Sequence, residues 1–147
     1  DPRGEGYQVI QSKVAIGSGG LSGKGFLEGS QTNLSFLPEE HTDFIFSVLG
    51  EQFGLMGCVV IIVLFFLLLF RILHICTMQK NIFGNYLLVG VAAIFAFHVF
   101  VNIAMTLGIM PVTGLPLPLL SYGGSFVITC MVLLGFVQVV YKSGSET

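Results

Sequence analysis

An unbroken run of apolar residues and glycines at positions 53–70 constrains the fold of this chain more than any other feature. At about 1.5 Å per helical residue, the run can cross most of a hydrocarbon core that is roughly 30 Å thick. Charged residues make up only 10% of the chain, whereas an ordinary soluble domain carries about 25%. The sequence therefore predicts an all-α integral membrane protein.

Three membrane-spanning helices are expected, at about 43–73, 84–107 and 122–141. The polar, glycine-rich residues 1–42 are predicted to form a large extramembrane loop, although residues 7–16 could be a short amphipathic helix or a strand. The chain lacks an initiator methionine, a basic n-region and a short apolar h-region. It is therefore expected to have no secretory signal and to be a piece of a longer protein.

The segment 108–121 separates the last two predicted spans and contains Pro111, Pro116 and Pro118. Proline interrupts helices, and non-helical backbone at membrane depth is tolerated only when the protein encloses it. We therefore expect a turn or a re-entrant segment.

The basic residues next to the spans predict the orientation of the protein. Arg71 and Lys80 lie close to the first short connection, and Lys142 follows the last span. Because basic residues favour the cytoplasmic side, both the 1–42 segment and the proline-rich segment are expected on the outer, periplasmic face of the membrane.

Charge and cysteine content exclude several classes of function. With a net charge of −2 and only six Lys and Arg residues, the chain has no basic stripe for nucleic acid. Cys58, Cys76 and Cys130 are odd in number and two of them lie within apolar spans, so they are predicted to be small buried apolar residues rather than a disulfide framework.

The glycines at positions 17–25 do not form a nucleotide-binding loop, because Lys24 is followed by Gly25 rather than Ser or Thr. Two interpretations stay open for this segment. It is either a flexible loop or a place where backbone N–H groups and Lys24 approach an anionic head group.

An acidic cluster precedes the first span, with Glu39, Glu40, His41 and Asp43 inside five positions. Asp43 could simply cap the helix, an interaction worth about 1 kcal/mol. Alternatively, this density of charge could serve chemistry or hold a divalent cation through carboxylate oxygens and an imidazole nitrogen.

Polar residues near and within the later spans are further candidates. His98 and Asn102 share a helix face and should point into the bundle, either as a pair that fixes packing or as functional groups. Small residues open the third span, where free N–H groups attract anions or small side chains allow close packing. They include Ser121, Gly123, Gly124 and Ser125.

Several ordered motifs together resemble the bacterial shape, elongation, division and sporulation (SEDS) family over essentially the whole chain, and its elongation members most closely. They are Gln11-Ser12-Lys13, Gly23-Lys24-Gly25, the run 36–46, and the proline-rich segment with Ser121 to Ser125. The resemblance implies a ten-helix fold, of which this chain would supply the last three helices and the large periplasmic loop before them.

The resemblance implies a peptidoglycan glycosyltransferase that polymerises lipid II for cell elongation and rod shape in the bacterial cytoplasmic (inner) membrane. The family's essential loop aspartate matches Asp43, which would take the proton of the acceptor hydroxyl or hold a divalent cation such as Mg or Mn. Other residues would contribute more weakly to substrate binding. They are Lys24, Gln31, Glu39, His41, Ser121, Gly123, Gly124 and Ser125.

The partners implied are lipid II, a polyprenyl-pyrophosphate-linked glycan, a class B penicillin-binding transpeptidase, the elongation machinery and membrane lipid. Two other functions stay open: a lipid II flippase that uses His98 and Asn102, and a membrane scaffold that recruits the transpeptidase. A division role of the FtsW type is less expected, and the fragment alone is expected to be inactive.

Overall fold

The computed structural model describes residues 5–21, 23, 45–111, 115–120 and 124–145, and over these ranges the chain contains helices and no strand. The four helices are α1 (Glu5–Gly19), α2 (Ile45–Met78), α3 (Ile82–Thr106) and α4 (Gly124–Ser145). Helices α2, α3 and α4 are long and apolar enough to cross a membrane. The predicted all-α class with three membrane-spanning helices is therefore confirmed.

Helix α2 extends five residues beyond the predicted end at position 73, past both Arg71 and His74. The guanidinium carbon of Arg71 lies 5.5 Å from the centroid of the Tyr141 ring on α4. A long basic side chain can keep its charge near the helix end while its backbone remains helical, so Arg71 does not end the span.

Gly54 divides α2 into two parts, because its φ of 72° and ψ of −162° are not helical. This backbone conformation is essentially restricted to glycine. Residues 55–78, after the break, would be about 36 Å long and are sufficient to cross the hydrocarbon core alone. Residues 45–53 therefore form a separate helical part at one end of the span.

Both ends of α3 have identifiable caps. At the start, the Asn81 side chain accepts a hydrogen bond of 3.0 Å from the N–H of Phe83. At the end, Gly108 has a φ of 78°, and its N–H donates to the Met105 carbonyl while the next N–H donates to Ala104. This is a Schellman motif, which turns the chain back towards the bundle before the prolines.

Part of the segment predicted as a large loop, residues 1–42, is the helix α1. Of the two conformations considered for residues 7–16, the structure has the helix. Its face towards α2 and α3 is fully buried at Ser12 and Ala15. Tertiary contacts therefore decide this conformation, because a 15-residue helix is marginal in water on its own.

Two apolar clusters fill the bundle. The first joins α2, α3 and α4, and its buried residues are Ile72, Ile75, Leu88, Val91, Ala92, Phe95, Cys130, Val137 and Val140. The second joins α2 to the proline-rich segment and contains Phe46, Cys58, Phe65 and Leu117. Leu117 belongs to the proline-rich segment, so this segment contributes to the core.

Candidate functional site

The start of α2, the end of α3 and the start of α4 lie at one end of the bundle, because the three helices alternate in direction. Helix α1 reaches the same end, where the Lys13 side chain lies against Gly108. At the opposite end, Gln79 lies against Gly144. The segment containing α1 and the proline-rich segment therefore meet at one end, away from Lys80 and Lys142.

Two intramembrane polar residues of α3 bind the backbone of the proline-rich segment. The Asn102 side-chain amide donates to the Leu115 carbonyl at 2.8 Å, and Nδ1 of His98 is 3.2 Å from the Pro116 carbonyl oxygen. Because a carbonyl can only accept, Nδ1 of His98 is the donor. The two residues share a helix face as predicted, and they hold the segment beside α3.

The proline-rich segment enters the bundle and turns there, as expected from its prolines. Leu117 and Pro118 are fully buried, and the N–H of Leu120 donates to the Leu117 carbonyl at 3.4 Å. Leu119 has a φ of 68°, which is an uncommon and strained conformation for a branched side chain. The surrounding packing therefore determines the shape of this turn.

The first turn of α4 lies next to the same segment. The His98 ring stacks on Phe126 with ring centroids 4.9 Å apart. Gly124 and Ser125 begin α4 and are exposed. His98 thus joins α3, the proline-rich segment and α4, and it places two of the predicted substrate-binding residues at this end of the bundle.

A buried hydroxyl of α1 connects two of the membrane helices. Ser12, Ser47 and Thr106 are each 0% exposed. The Ser12 and Ser47 hydroxyls are hydrogen-bonded to each other, and Ser12 Oγ donates to the Thr106 carbonyl at 2.6 Å. Helix α1 is therefore bonded both to the start of α2 and to the last residue of α3.

The glycines at the end of α1 pack against the break in α2. The N–H groups of Leu55 and Met56, which follow the break, donate to the carbonyls of Gly20 at 2.7 Å and Leu21 at 3.0 Å. A Cβ atom on Gly19 would overlap the Gly50 carbonyl. Gly19 and Gly23 therefore serve close packing against α2, a role that neither interpretation of the glycines at 17–25 included, while Lys24 and Gly25 lie outside the described residues.

The part of α2 before the break also buries a carboxylate and an amide. Glu51 is 0% and Gln52 is 5% exposed. An ionisable residue buried next to a membrane span is costly, and it is a functional candidate by default.

Sequence analysis did not single out Ser12, Ser47, Thr106 or Glu51 as site residues. One signal was present: Gly50 and Gly54 are four residues apart, a spacing of small residues that allows close approach of helices.

Most of the predicted site residues lie outside the described residues. They are Lys24, Gln31, Glu39, His41, Asp43, Ser121 and Gly123. Asp43 precedes the first residue of α2 by two positions. Within the described ranges, no group of three His, Cys, Asp or Glu side chains could hold a metal ion, and the predicted cation ligands fall outside these ranges.

The three cysteines are free, as predicted, and Cys58 and Cys130 are buried.

Comparison with known proteins gives one consistent family. The sequence profile of the cell cycle proteins FtsW, RodA and SpoVE matches residues 1–146. The chain is 52% identical over 141 residues, 96% of its length, to the peptidoglycan glycosyltransferase MrdB of Escherichia coli K12. It is 46% identical over 94% of its length to the peptidoglycan glycosyltransferase RodA of Treponema pallidum. It is 47% identical over 93% to a probable peptidoglycan glycosyltransferase FtsW of Trichlorobacter lovleyi.

A solved structure agrees with these relatives. It is the structure of a peptidoglycan synthase complex that coordinates polymerization and crosslinking. One chain of that complex matches the whole of the present sequence with a TM-score of 0.78 and 40% identity, and the match covers 39% of the chain in the complex. The chain likewise spans 38% of MrdB, 32% of RodA and 36% of FtsW.

Proposed function

The chain belongs to the FtsW, RodA and SpoVE family of cell cycle proteins, and from this membership we propose that it is part of a peptidoglycan glycosyltransferase that polymerises lipid II. The observation that carries the proposal is the meeting of α1, the start of α2, the proline-rich segment and the start of α4 at one end of three membrane-spanning helices. Substrates with lipid tails must react at the bilayer surface, and this end of the bundle is such a place.

Asp43 is the proposed catalytic residue. In the reaction, the acceptor 4-hydroxyl oxygen bonds to the anomeric carbon of the donor, and the bond from that carbon to the pyrophosphate breaks. The proton of the hydroxyl passes to the Asp43 carboxylate. A divalent cation, if bound, would be held by Asp43 and its acidic neighbours and would make that hydroxyl more acidic. General-base catalysis of this kind typically contributes about 10²- to 10⁴-fold in rate.

The pyrophosphate leaving group needs positive charge or N–H donors as its bond breaks. Lys24, a cation such as Mg or Mn, and the first residues of α4 are the proposed sources. Gly124 and Ser125 support this role, because they open α4 beside the proline-rich segment and are exposed. Lys24, Gln31, Glu39 and His41 are proposed from the motif resemblance alone.

An apolar groove beside the proline-rich turn supports a lipid-linked substrate. The groove has a volume of about 290 Å³, and it is lined by Ile61, Leu64, Phe65, Leu68, Leu119 and Leu120. It runs along α2 from the level of the turn. A stretch of polyprenyl chain would lie there while the pyrophosphate remains at the end of the bundle.

We propose an elongation role, with the catalytic end on the periplasmic face of the inner membrane. The supporting observation is the 52% identity to MrdB, since the FtsW relatives named above and others reach 42% to 47%. Complementation decides between the roles: the full-length protein should restore rod shape to cells depleted of their elongation polymerase. Rescue of septation alone would favour division.

A class B penicillin-binding transpeptidase is the proposed partner. The structural relative belongs to a complex that performs both polymerization and crosslinking. Helices α2 and α3 expose large apolar side chains, among them Phe66, Phe70, Phe97 and Phe100. In the complete protein, upstream spans, lipid and the transpeptidase would share this surface.

The flippase alternative receives less support from the bundle. Translocation would require His98 and Asn102 to line a path for the polar head group. Both side chains instead bond to carbonyl groups of the proline-rich segment, which favours a role in holding that segment.

The test is polymerisation of purified lipid II by the full-length protein with its transpeptidase. Asn caps helices about as well as Asp, so Asp43→Asn preserves a cap while removing the carboxylate. The variant should reach the membrane and bind the transpeptidase normally, yet polymerise at least ~10²-fold more slowly. Glycan synthesis at the normal rate would reduce Asp43 to a capping residue.

A further inference from the structure

We propose that Ser12 is a positioning residue for the polymerisation reaction, and this inference rests on the function proposed above. Its hydroxyl fixes the start of α2, which Asp43 precedes by two positions in the sequence, relative to the end of α3. Ser12 lies in α1, far from the acidic cluster in the sequence.

The direction of the hydrogen bonds follows from counting protons. A hydroxyl has one proton to donate. Ser12 uses it on the Thr106 carbonyl, which can only accept. The bond between the two serines must therefore be donated by Ser47. The resulting relay runs from Ser47 through Ser12 to Thr106, and each bond in such a chain polarises the next.

The Thr106 carbonyl needs this donor because it belongs to the last turn of α3. Carbonyls of the last helical turn have no partner within the helix. The Schellman motif satisfies Ala104 and Met105, and Ser12 satisfies Thr106. The next residues of the chain lead into the proline-rich segment, so the relay also fixes where that segment departs.

Ser47 lies four residues after Asp43 in the sequence. It belongs to the part of α2 before Gly54, and the break removes the constraint that a continuous helix would impose on this part. The α1 contacts supply that constraint instead: the relay at Ser47, and the bonds from Leu55 and Met56 to Gly20 and Leu21. Ser12 thus acts on Asp43 through the placement of α2.

The experiment measures lipid II polymerisation by the full-length protein with its transpeptidase. Ser12→Ala removes the relay, and Ser18→Ala is the matched control. Ser18 lies on the same helix, is exposed, and donates only within α1, to the Ala15 carbonyl at 3.0 Å. Small displacements of reacting groups cost large factors in rate, so Ser12→Ala should lower kcat at least ~10-fold and leave KM within about twofold. Ser18→Ala should match the unmodified protein.

A second variant decides the matter if Ser12→Ala folds poorly. Ser12→Cys with Ser47→Cys replaces the bond between the two side chains by a disulfide that can be formed and reduced in the folded protein. Oxidation should raise kcat well above that of the reduced form, and reduction should abolish the gain. Ser12→Cys alone controls for Cys58, Cys76 and Cys130, and its kcat should not respond to oxidation.

The outcomes separate the two proposals. If the unmodified protein with its partner does not polymerise lipid II, the proposed function is wrong and the role of Ser12 in it falls too. If it polymerises and Ser12→Ala equals Ser18→Ala, only the positioning role is refuted. The positioning role would also be refuted if Ser12→Ala raised KM at constant kcat. It would be refuted as well if oxidation left the kcat of the double-cysteine variant unchanged.

Discussion

Gly17 and Gly19 offer a matched test of how α1 is attached to the membrane helices. Both glycines belong to α1, neither has a positive φ, and both would be replaced by alanine. A Cβ atom on Gly17 meets nothing within 4 Å, whereas one on Gly19 overlaps the carbonyl of Gly50. The two variants therefore carry the same chemical change, and they differ in whether the added methyl group meets α2.

The expected magnitudes follow from this difference. Alanine in a helix is more stable than glycine by roughly 0.5–1 kcal/mol, so Gly17→Ala should stabilise α1 slightly. At Gly19 the methyl group meets backbone, which cannot move aside as a flexible side chain would, and overpacking of this kind costs about 1–3 kcal/mol. Gly19→Ala should therefore loosen α1 by about 2 kcal/mol.

Hydrogen exchange of the full-length protein in detergent or nanodiscs measures this loosening directly, because α1 can open locally without unfolding of the spans. A change of about 2 kcal/mol corresponds to roughly 30-fold faster exchange of the α1 amides. Gly17→Ala should exchange at the original rate or more slowly. Equal rates for the two variants would refute the conclusion that α1 is attached through close glycine contacts.

Three further predictions concern the break, the proline-rich segment and the orientation. Gly54→Ala should lower the melting temperature markedly, because the φ of 72° disfavours a side chain and a Cβ atom would overlap Gly23 and Gly20. Gly90→Ala is its control, because a Cβ atom there meets nothing within 4 Å, and equal melting temperatures for the two variants would contradict the prediction. Asn102→Leu removes the donor to the Leu115 carbonyl and should cost about 1–3 kcal/mol of stability in thermal unfolding, whereas an unchanged transition would show that the bond contributes nothing. A cysteine at Asn33 should react with a membrane-impermeant thiol reagent on spheroplasts while one at Gln79 should not, and the reverse pattern would invert the proposed orientation.

The membrane helices could be predicted from the sequence because their signal is local. Each contains a long, mainly apolar stretch, and the prolines between α3 and α4 are sufficient to exclude a continuous helix there. The bounds were less certain: nothing in the apolar run 53–70 marks Gly54 as a break, since its backbone conformation depends on Gly20 and Gly23 packing against it.

The contacts of the site could not be predicted, because they join residues that are far apart in the sequence. Ser12 is 35 residues from Ser47 and 94 from Thr106. His98 and Asn102 were identified as facing the bundle, but helical spacing alone does not say that their partners are carbonyls 18 and 13 residues away. Sequence gives the face of a helix, while only the tertiary structure gives what that face meets.

The break at Gly54 coincides with a change in the chemistry of α2, and this coincidence connects the fold to the proposed function. Before the break the helix buries Ser47, Glu51 and Gln52, and after it no polar side chain occurs until Arg71. A continuous helix of 34 residues would be about 51 Å long, more than the hydrocarbon core can contain. The break lets the apolar part span the membrane while α1 covers the polar part and bonds to it. The residues that lead into α2, Asp43 among them, are thereby connected in the sequence to a part of the helix that protein contacts hold. The carboxylate proposed above to act on a lipid-linked substrate would require such an attachment.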